Sequence, residues 1–551
     1  MNAFDRLLQA HRLWRSLLKY LGLFCLCWVL ILSCTPSPRT EVPSTANRSD
    51  RISMGTTAKL RTLDPADAYD LTAGYLLNNL GDPLYSYKLG TTELIPRLAT
   101  ALPTISDDGL TYTIPLRQNV TFHDGTPFNA AAMEFSLRRF IENGGQPSFL
   151  LRDLVESIAA TDEYELTLTL KKPFAAFPSL LTFTGFCAIS PQAYEIGPGK
   201  FQPDTFVGTG PYRLANYGTD SLKLDPFENY WGDKPANQGI DIQRYPNNPA
   251  NLYNAFVTGA VDVAYETLDP QQIRSLERMK AEKAMQVISQ SGNSVTYWVL
   301  NTQFPPLDTV EIRQALAAMM DRNLLIQRIS EGQAEPLYSL IPSTFAASEP
   351  VFEQRYGEGD IPRAKELLAK AGYSQTNPLK LEVWYPTSSP VRTAVATALS
   401  AIADRELEGI LQLEPKSVEF TTATANLDKG VYPTFLFSWF PDFFDPDNYI
   451  HPFLSCAKRS PETGCESGGS QSQGSFYYSD RANQLVDRQR QELDPQRRQA
   501  IFREIQAKVA EDVPYIPLFQ NKEYAFAQKN IAGVTLEPAQ PFPLWQIHST
   551  D

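Results

Sequence analysis

Residues 103–128 read PTISDDGLTYTIPLRQNVTFHDGTPF. Leu110, Tyr112, Ile114 and Leu116 alternate with Thr111, Thr113 and Pro115. A period of two buries one face of a strand and leaves the other to water. Pro115 has no N–H to give a ladder, which predicts an edge position. Asp124-Gly125-Thr126-Pro127 is turn chemistry by composition. It reads as a device that shapes its domain and touches no ligand, and His123 goes with it. An apolar stripe from about Ala130 to Asn143, closed by Gly144-Gly145, predicts a helix. Tyr164, Leu166, Leu168 and Leu170 then alternate again. Strand, helix and strand in succession indicate an α/β chain.

Further along, helical spacing dominates. Ile312, Ala315, Leu316 and Met319 form one stripe after Thr309. Asp360 and Pro362 are a start signal for a helix through Ala364, Leu367, Leu368 and Ala371, which Gly372 ends. Leu379 to Tyr385 reads as a strand between helices. Leu485–Glu492 and Arg497–Glu511 read as a helical pair separated at Asp494-Pro495. A chain of 551 residues is too long for one core and implies two or three domains. Its 25 Tyr, 30 Phe and 7 Trp suit both cores and an aromatic binding cleft.

The first 33 residues read as an export signal. Arg6, Arg12, Arg15 and Lys19 precede an uncharged apolar run, Leu21 to Leu32. That run is shorter than the ~20 residues a spanning helix needs. Ile31-Leu32-Ser33-Cys34 follows and resembles the bacterial lipobox, which implies an acylated Cys34 at the mature N-terminus. The alternative is a plain signal peptide with an incidental cysteine. Residues 34–50, rich in Pro, Ser and Thr, read as a flexible tether.

Without residues 1–33 the chain carries 45 basic and 61 acidic residues, a net charge of −16. Nucleic acid needs a basic surface, so that partner is excluded. Cys456 and Cys465 lie in a Ser/Gly/Pro-rich loop. In an exported chain they favour a disulfide, with a metal clip as the alternative. Cys187, within Phe186-Cys187-Ala188-Ile189, reads as a buried thiol. The sequence has no Gly-x-Ser-x-Gly elbow, no His-Glu-x-x-His and no phosphate-binding Gly-x4-Gly-Lys loop. Its four histidines, His11, His123, His451 and His548, are too scattered to suggest a multi-histidine metal site. The chain is therefore read as a non-enzyme without metal or cofactor.

Several motifs in order resemble the family 5 bacterial solute-binding proteins, which take oligopeptides, dipeptides or nickel. They are Leu63-Asp64-Pro65, the stretch from Pro103 to Phe128, Val207-Gly208-Thr209-Gly210-Pro211-Tyr212 and Asn229-Tyr230-Trp231. Asn301-Thr302 with Val310 to Leu316, and Trp439 to Asn448, complete the series. The resemblance implies an α/β clamshell: two lobes of periplasmic-binding-protein type with an extra small domain on the first. It places lobe I at 51–93, 207–295 and 515–551, the extra domain at 94–206 and lobe II at 296–514.

The resemblance also implies a site. In peptide-binding members the carboxylate of the Trp-x-x-Asp pattern anchors the ligand's α-ammonium. Here that pattern is Trp439, Asp442, Asp445 and Pro446, and Asp442 is the anchor. A carboxylate in a water-poor cleft holds an ammonium by charge-assisted hydrogen bonds. The alternative is a turn-capping aspartate. Asp445 and Asp447 read as braces of the loop. Trp439, Phe443, Phe444 and Trp298 are candidate cleft walls, with ordinary core as the alternative. No residue is marked as receiver of the ligand's carboxylate. The implied function is capture of peptides outside the cytoplasmic membrane by a monomeric, lipid-anchored protein. The lipid bilayer, through Cys34, and ABC permease subunits would be its partners. Alternatives are a nickel chelate, an opine or an oligosaccharide as ligand, or sensing without transport.

Overall fold

A computed structural model describes residues 50–550 apart from 247, 266–267, 284, 461–463 and 540–541. The expected export signal, Cys34 and all of the tether but Asp50 lie outside the described residues. One mixed sheet of eleven strands organises the rest. Its order is Leu411–Val418, Leu379–Pro386, Thr434–Trp439, Gln286–Leu300, Tyr515–Ala527, Val263–Tyr265, Ile52–Thr56, Ile240–Arg244, Ser221–Pro226 and Tyr212–Tyr217. Ala334–Pro336 pairs with Tyr515–Ala527 off this path.

Two long antiparallel strands, Gln286–Leu300 and Tyr515–Ala527, divide the sheet into halves. Val295–Leu300 pairs on its other side with Thr434–Trp439, in the half that holds residues 379–439. At the far end, Ala525–Ala527 pairs with Val263–Tyr265, in the half that holds residues 52–265. The ladder between the long strands shifts register between Ser291 and Val295. Gly292 sits in that shift, where a Cβ would lie 2.7 Å from the Asn521 carbonyl oxygen. The close approach of the two backbones there requires glycine. Each half has its own apolar core, one built on residues 295–519 and one on residues 52–80 with 187–206, 212–265 and 525–547. These halves are called lobe II and lobe I below.

A third core lies under a four-stranded antiparallel sheet ordered Thr104–Ile105, Thr111–Pro115, Glu165–Leu170 and Val155–Asp162. Helix Ala130–Glu142 packs on it, N-capped by Asn129, whose side chain accepts from Ala132 N at 3.0 Å. The expected edge position of Pro115 is corrected here. Its strand pairs on both sides, with Thr104–Ile105 and Glu165–Leu170. Proline is tolerated because the short partner pairs only with Tyr112 and Thr113, and Pro115, last in the strand, accepts from Thr100 N at 2.9 Å. In the Asp124–Pro127 turn, Asp124 accepts from Thr126 N at 2.9 Å and from Ser190 Oγ at 2.6 Å.

Other motif residues build buried polar hubs. Asp64 takes a bidentate pair from Arg139, at 2.7 Å on each oxygen. Asp82 accepts from Arg97 Nε at 2.6 Å, Thr209 Oγ1 at 2.8 Å and Trp231 Nε1 at 2.9 Å. Gly210 lies against the end of helix Leu71–Leu80, where a Cβ would come 2.4 Å from the Leu80 carbonyl carbon. In lobe II, helices Ile361–Lys370 and Pro495–Asp512 start at the expected aspartates, Asp360 and Asp494, whose side chains cap them. Each such cap is worth about 1 kcal/mol. Cys456 and Cys465 are joined as a disulfide, with Cα atoms 5.6 Å apart. Cys187 is buried and free, its thiol pushed up by burial. Among the described residues, no helix is long and apolar enough to cross a membrane.

Candidate functional site

A cavity of about 410 Å³ lies between lobe I, with its small domain, and lobe II. Lobe I supplies one face of helix Leu71–Leu80, with Tyr69 and Asp70 before it and Tyr87 beyond it. Lobe II supplies residues 437–444, the end of strand Thr434–Trp439 and the loop that follows. Phe440-Pro441 ends the strand, and the loop is then held by a set of side-chain hydrogen bonds. Asp445 caps the turn Pro446–Tyr449 by accepting from Asp447 N at 2.8 Å. Asn448 Oδ1 accepts from Asp442 N at 2.9 Å and from Trp439 Nε1 at 3.2 Å.

The three aspartates of this loop have different surroundings. Asp445 is bound by Arg498 through both oxygens, at 2.7 and 2.8 Å. Asp447 faces Arg490 Nε at 3.6 Å and accepts from Gln489 Nε2. Asp442 forms no ion pair among the described residues. Its Oδ1 accepts from Tyr69 Oη of lobe I at 2.7 Å, and its Oδ2 from Asn448 Nδ2 at 3.4 Å. Burial drives its pKa above the ordinary aspartate value, while the bonds from Tyr69 and Asn448 pull it down. The Tyr69 phenol is pushed up in turn, first by burial and then by the Asp442 charge. Part of the Asp442 surface stays open to the cavity although protein surrounds the group.

Trp439, Asp442, Phe443 and Phe444 all line this cavity. Phe443 also reaches into the small-domain core, with its ring 6.1 Å from that of Phe174. Phe444 stacks on Phe345 at 4.1 Å, and its carbonyl accepts from Tyr87 Oη of lobe I at 3.2 Å. Trp298, expected as a cleft wall, is corrected to core: it is 0% exposed in lobe II and is not among the lining residues. Its strand is central and buried on both faces from Gly292-Asn293 onward, so alternation does not aim it at a cleft.

Three residues escaped the sequence reading. Tyr69 and Asn78 line the cavity from lobe I. Arg392, in lobe II, lies behind the cavity wall with its guanidinium carbon 5.6 Å from the centroid of Phe437. Its Nε is buried without a partner, and burial pulls its pKa below the usual arginine value. Arg392 forms no ion pair among the described residues, and neither does Asp70, which lines the cavity and caps helix Leu71–Leu80 through Ala73 N. The cis-acting sequence signal for Arg392 is only a basic residue in the first turn after Ser389-Pro390.

Two lobes joined by crossing strands, with an aromatic cavity and an unneutralised carboxylate between them, define a solute-binding protein. Residues 93–461 match the family described as bacterial extracellular solute-binding proteins, family 5, and the chain belongs to it. It is 26% identical over 483 residues to heme-binding protein A of Haemophilus influenzae, covering 83% of this chain and 84% of that one. It is 26% identical to di/tripeptide-binding protein 2 of Pseudomonas aeruginosa, over 88% of this chain and 92% of that one. The fold is similar to that of the periplasmic binding protein DppA from Helicobacter pylori in complex with peptide STSA. That match has a TM-score of 0.73 and 23% identity, over 91% of this chain and 98% of the other.

Proposed function

We propose that this protein captures short peptides outside the cytoplasmic membrane and delivers them to the permease of an ABC importer. One observation carries the reading: Asp442 is the carboxylate of its loop that no cation neutralises, and it borders the cavity. A buried carboxylate without a countercharge is costly. A peptide's α-ammonium, charged at neutral pH, supplies the missing charge. Trp439, Phe443 and Phe444 give the walls for apolar side chains. Di/tripeptide-binding protein 2 and the complex with peptide STSA support a peptide ligand. The lobes, with boundaries near 51–93, 207–295 and 515–551 for the first and 296–514 for the second, close on the ligand. Calorimetry with a dipeptide and its N-acetylated copy tests the reading. Acetylation should weaken binding about 30- to 4000-fold, as expected when one partner of a buried charge pair is removed. Equal affinities would overturn both the anchor and the peptide reading.

The protein acts as a monomer held at the membrane by lipid on Cys34. Two acyl chains are needed for stable anchoring. Cys34→Ala should move the protein from the membrane fraction to the soluble one. Unchanged fractionation would refute the anchor.

A further inference from the structure

Helix Leu71–Leu80 turns Leu71, Gly74, Tyr75 and Asn78 toward the cavity. These are positions i, i+3, i+4 and i+7, a single stripe. The opposite stripe, Ala73, Leu76, Leu77 and Leu80, packs into the lobe I core. Asn78 is only 7% exposed, and its side-chain amide nitrogen has no hydrogen-bond partner. Buried polar groups are almost always paired, so each exception needs an account. Its neighbour Asn79 shows the ordinary state: the amide donates to the Tyr75 carbonyl at 2.7 Å and to the Phe542 carbonyl at 3.0 Å. The two residues are of one type and adjacent. The one turned to residues 542–544 is satisfied, and the one on the cavity face is not.

The surroundings of Asn78 limit what it can receive. Among the described residues, no Lys, Arg or His lines the cavity. A ligand carboxylate beside Asn78 would be desolvated without a countercharge. A neutral acceptor carries no such cost and uses the free N–H in full. Peptides have that acceptor at a fixed distance from the α-ammonium: the first peptide carbonyl. We propose that Asn78 is a specificity-determining residue whose side-chain amide donates to a peptide-bond carbonyl of the ligand. This rests on the peptide reading of the cavity. Asp442 from lobe II and Asn78 from lobe I then hold the two polar groups of the ligand's first residue, one from each side of the cleft. Ligands need both groups, which selects amides of α-amino acids over simple amines.

The test is a double-mutant cycle by calorimetry. The probes are a Leu-Phe dipeptide and its alkene isostere, in which a carbon–carbon double bond replaces the amide and removes the carbonyl acceptor. Asn78→Leu should weaken the dipeptide about 5- to 100-fold. The isostere should lose a similar factor on the unmutated protein, and the variant with the isostere should lose no more than either change alone. Asn78→Asp keeps the shape, replaces the donor by an acceptor and should weaken the dipeptide at least as much. Without ligand, Asn78→Leu should melt no lower than the unmutated protein, because it removes an unpaired buried donor. A structural role would lower that melting temperature and affect both probes alike. Wild-type affinity in both variants, or losses that multiply, would overturn the role of Asn78 alone. An unmutated protein that binds no dipeptide would overturn the peptide reading and this inference with it.

Discussion

Asp64 and Asp442 are both aspartates enclosed by protein, and their surroundings are opposite. Asp64 is 0% exposed at its side chain and meets the guanidinium of Arg139, itself 1% exposed, through two bonds of 2.7 Å. Asp82 repeats that pattern with Arg97. Asp442 has only a phenol and an amide for company. The chain can evidently neutralise a buried carboxylate, and it does so twice within Asp442's own loop, at Asp445 and Asp447. A carboxylate left without an ion pair at the cavity wall supports the proposed binding role of Asp442, whereas the paired ones hold the fold; Asp70, the other carboxylate lining the cavity, is engaged as the cap of helix Leu71–Leu80 through Ala73 N. Motif status does not separate the two kinds, because Asp64 and Asp442 both lie in stretches whose sequence resembles the family.

The largest effect should come from breaking a structural pair. Asp64→Ala leaves Arg139 buried and uncompensated, which costs about 3–5 kcal/mol. Urea unfolding should show that loss, and the preference for free over acetylated peptide should persist in whatever folds. A loss below about 1 kcal/mol would mean that the pair does not hold lobe I to its small domain.

Asp442→Asn should give the reverse pattern. Binding of free peptides should fall about 30- to 4000-fold while the ligand-free protein gains stability at neutral pH. The sign follows from linkage. The folded pKa of Asp442 is raised, so the native state binds its proton more tightly than the unfolded chain does. Stability present at low pH is lost as pH rises from the unfolded aspartate pKa through the raised folded value. The asparagine variant lacks this loss. Its stability advantage should therefore vanish below the ordinary aspartate pKa of about 3.9. An advantage that grows on acidification would contradict the assignment.

Much of this arrangement was legible in the sequence, and the gaps have physical causes. Local signals worked where local chemistry decides, since Asp360 and Asp494 do cap helices, and the loop marked by the family resemblance does border the cavity through Trp439 to Phe444. Trp298 failed because a central strand buries both its faces, and a period of two cannot tell cleft from core. Pro115 failed because a short neighbour leaves room for proline at the end of an interior strand. Tyr69 was out of reach for another reason. It lies 373 residues before Asp442, and only the tertiary fold brings the pair to 2.7 Å. Asn78 left no trace, since its stripe of Leu71, Gly74, Tyr75 and Asn78 carries a single amide and nothing local says what that stripe faces.

The smallest and sharpest test concerns that distant pair. Tyr69 donates a hydrogen bond to Asp442 and thereby favours the charged carboxylate against burial, which favours the neutral acid. Tyr69→Phe removes the donor and leaves burial in place. The Asp442 pKa should then rise further. The ligand's ammonium remains charged throughout the acid range, so Asp442 sets the acid limb of binding. That limb should therefore move to higher pH in Tyr69→Phe, while affinity at neutral pH changes by less than about tenfold, the scale of one neutral hydrogen bond. Calorimetric titrations of a dipeptide across the acid range, on both proteins, read the shift directly. A limb that stays in place or moves to lower pH would show that the phenol does not hold the carboxylate in its charged form. The contrast with Asp64, whose charge is met by a guanidinium, would then need another origin.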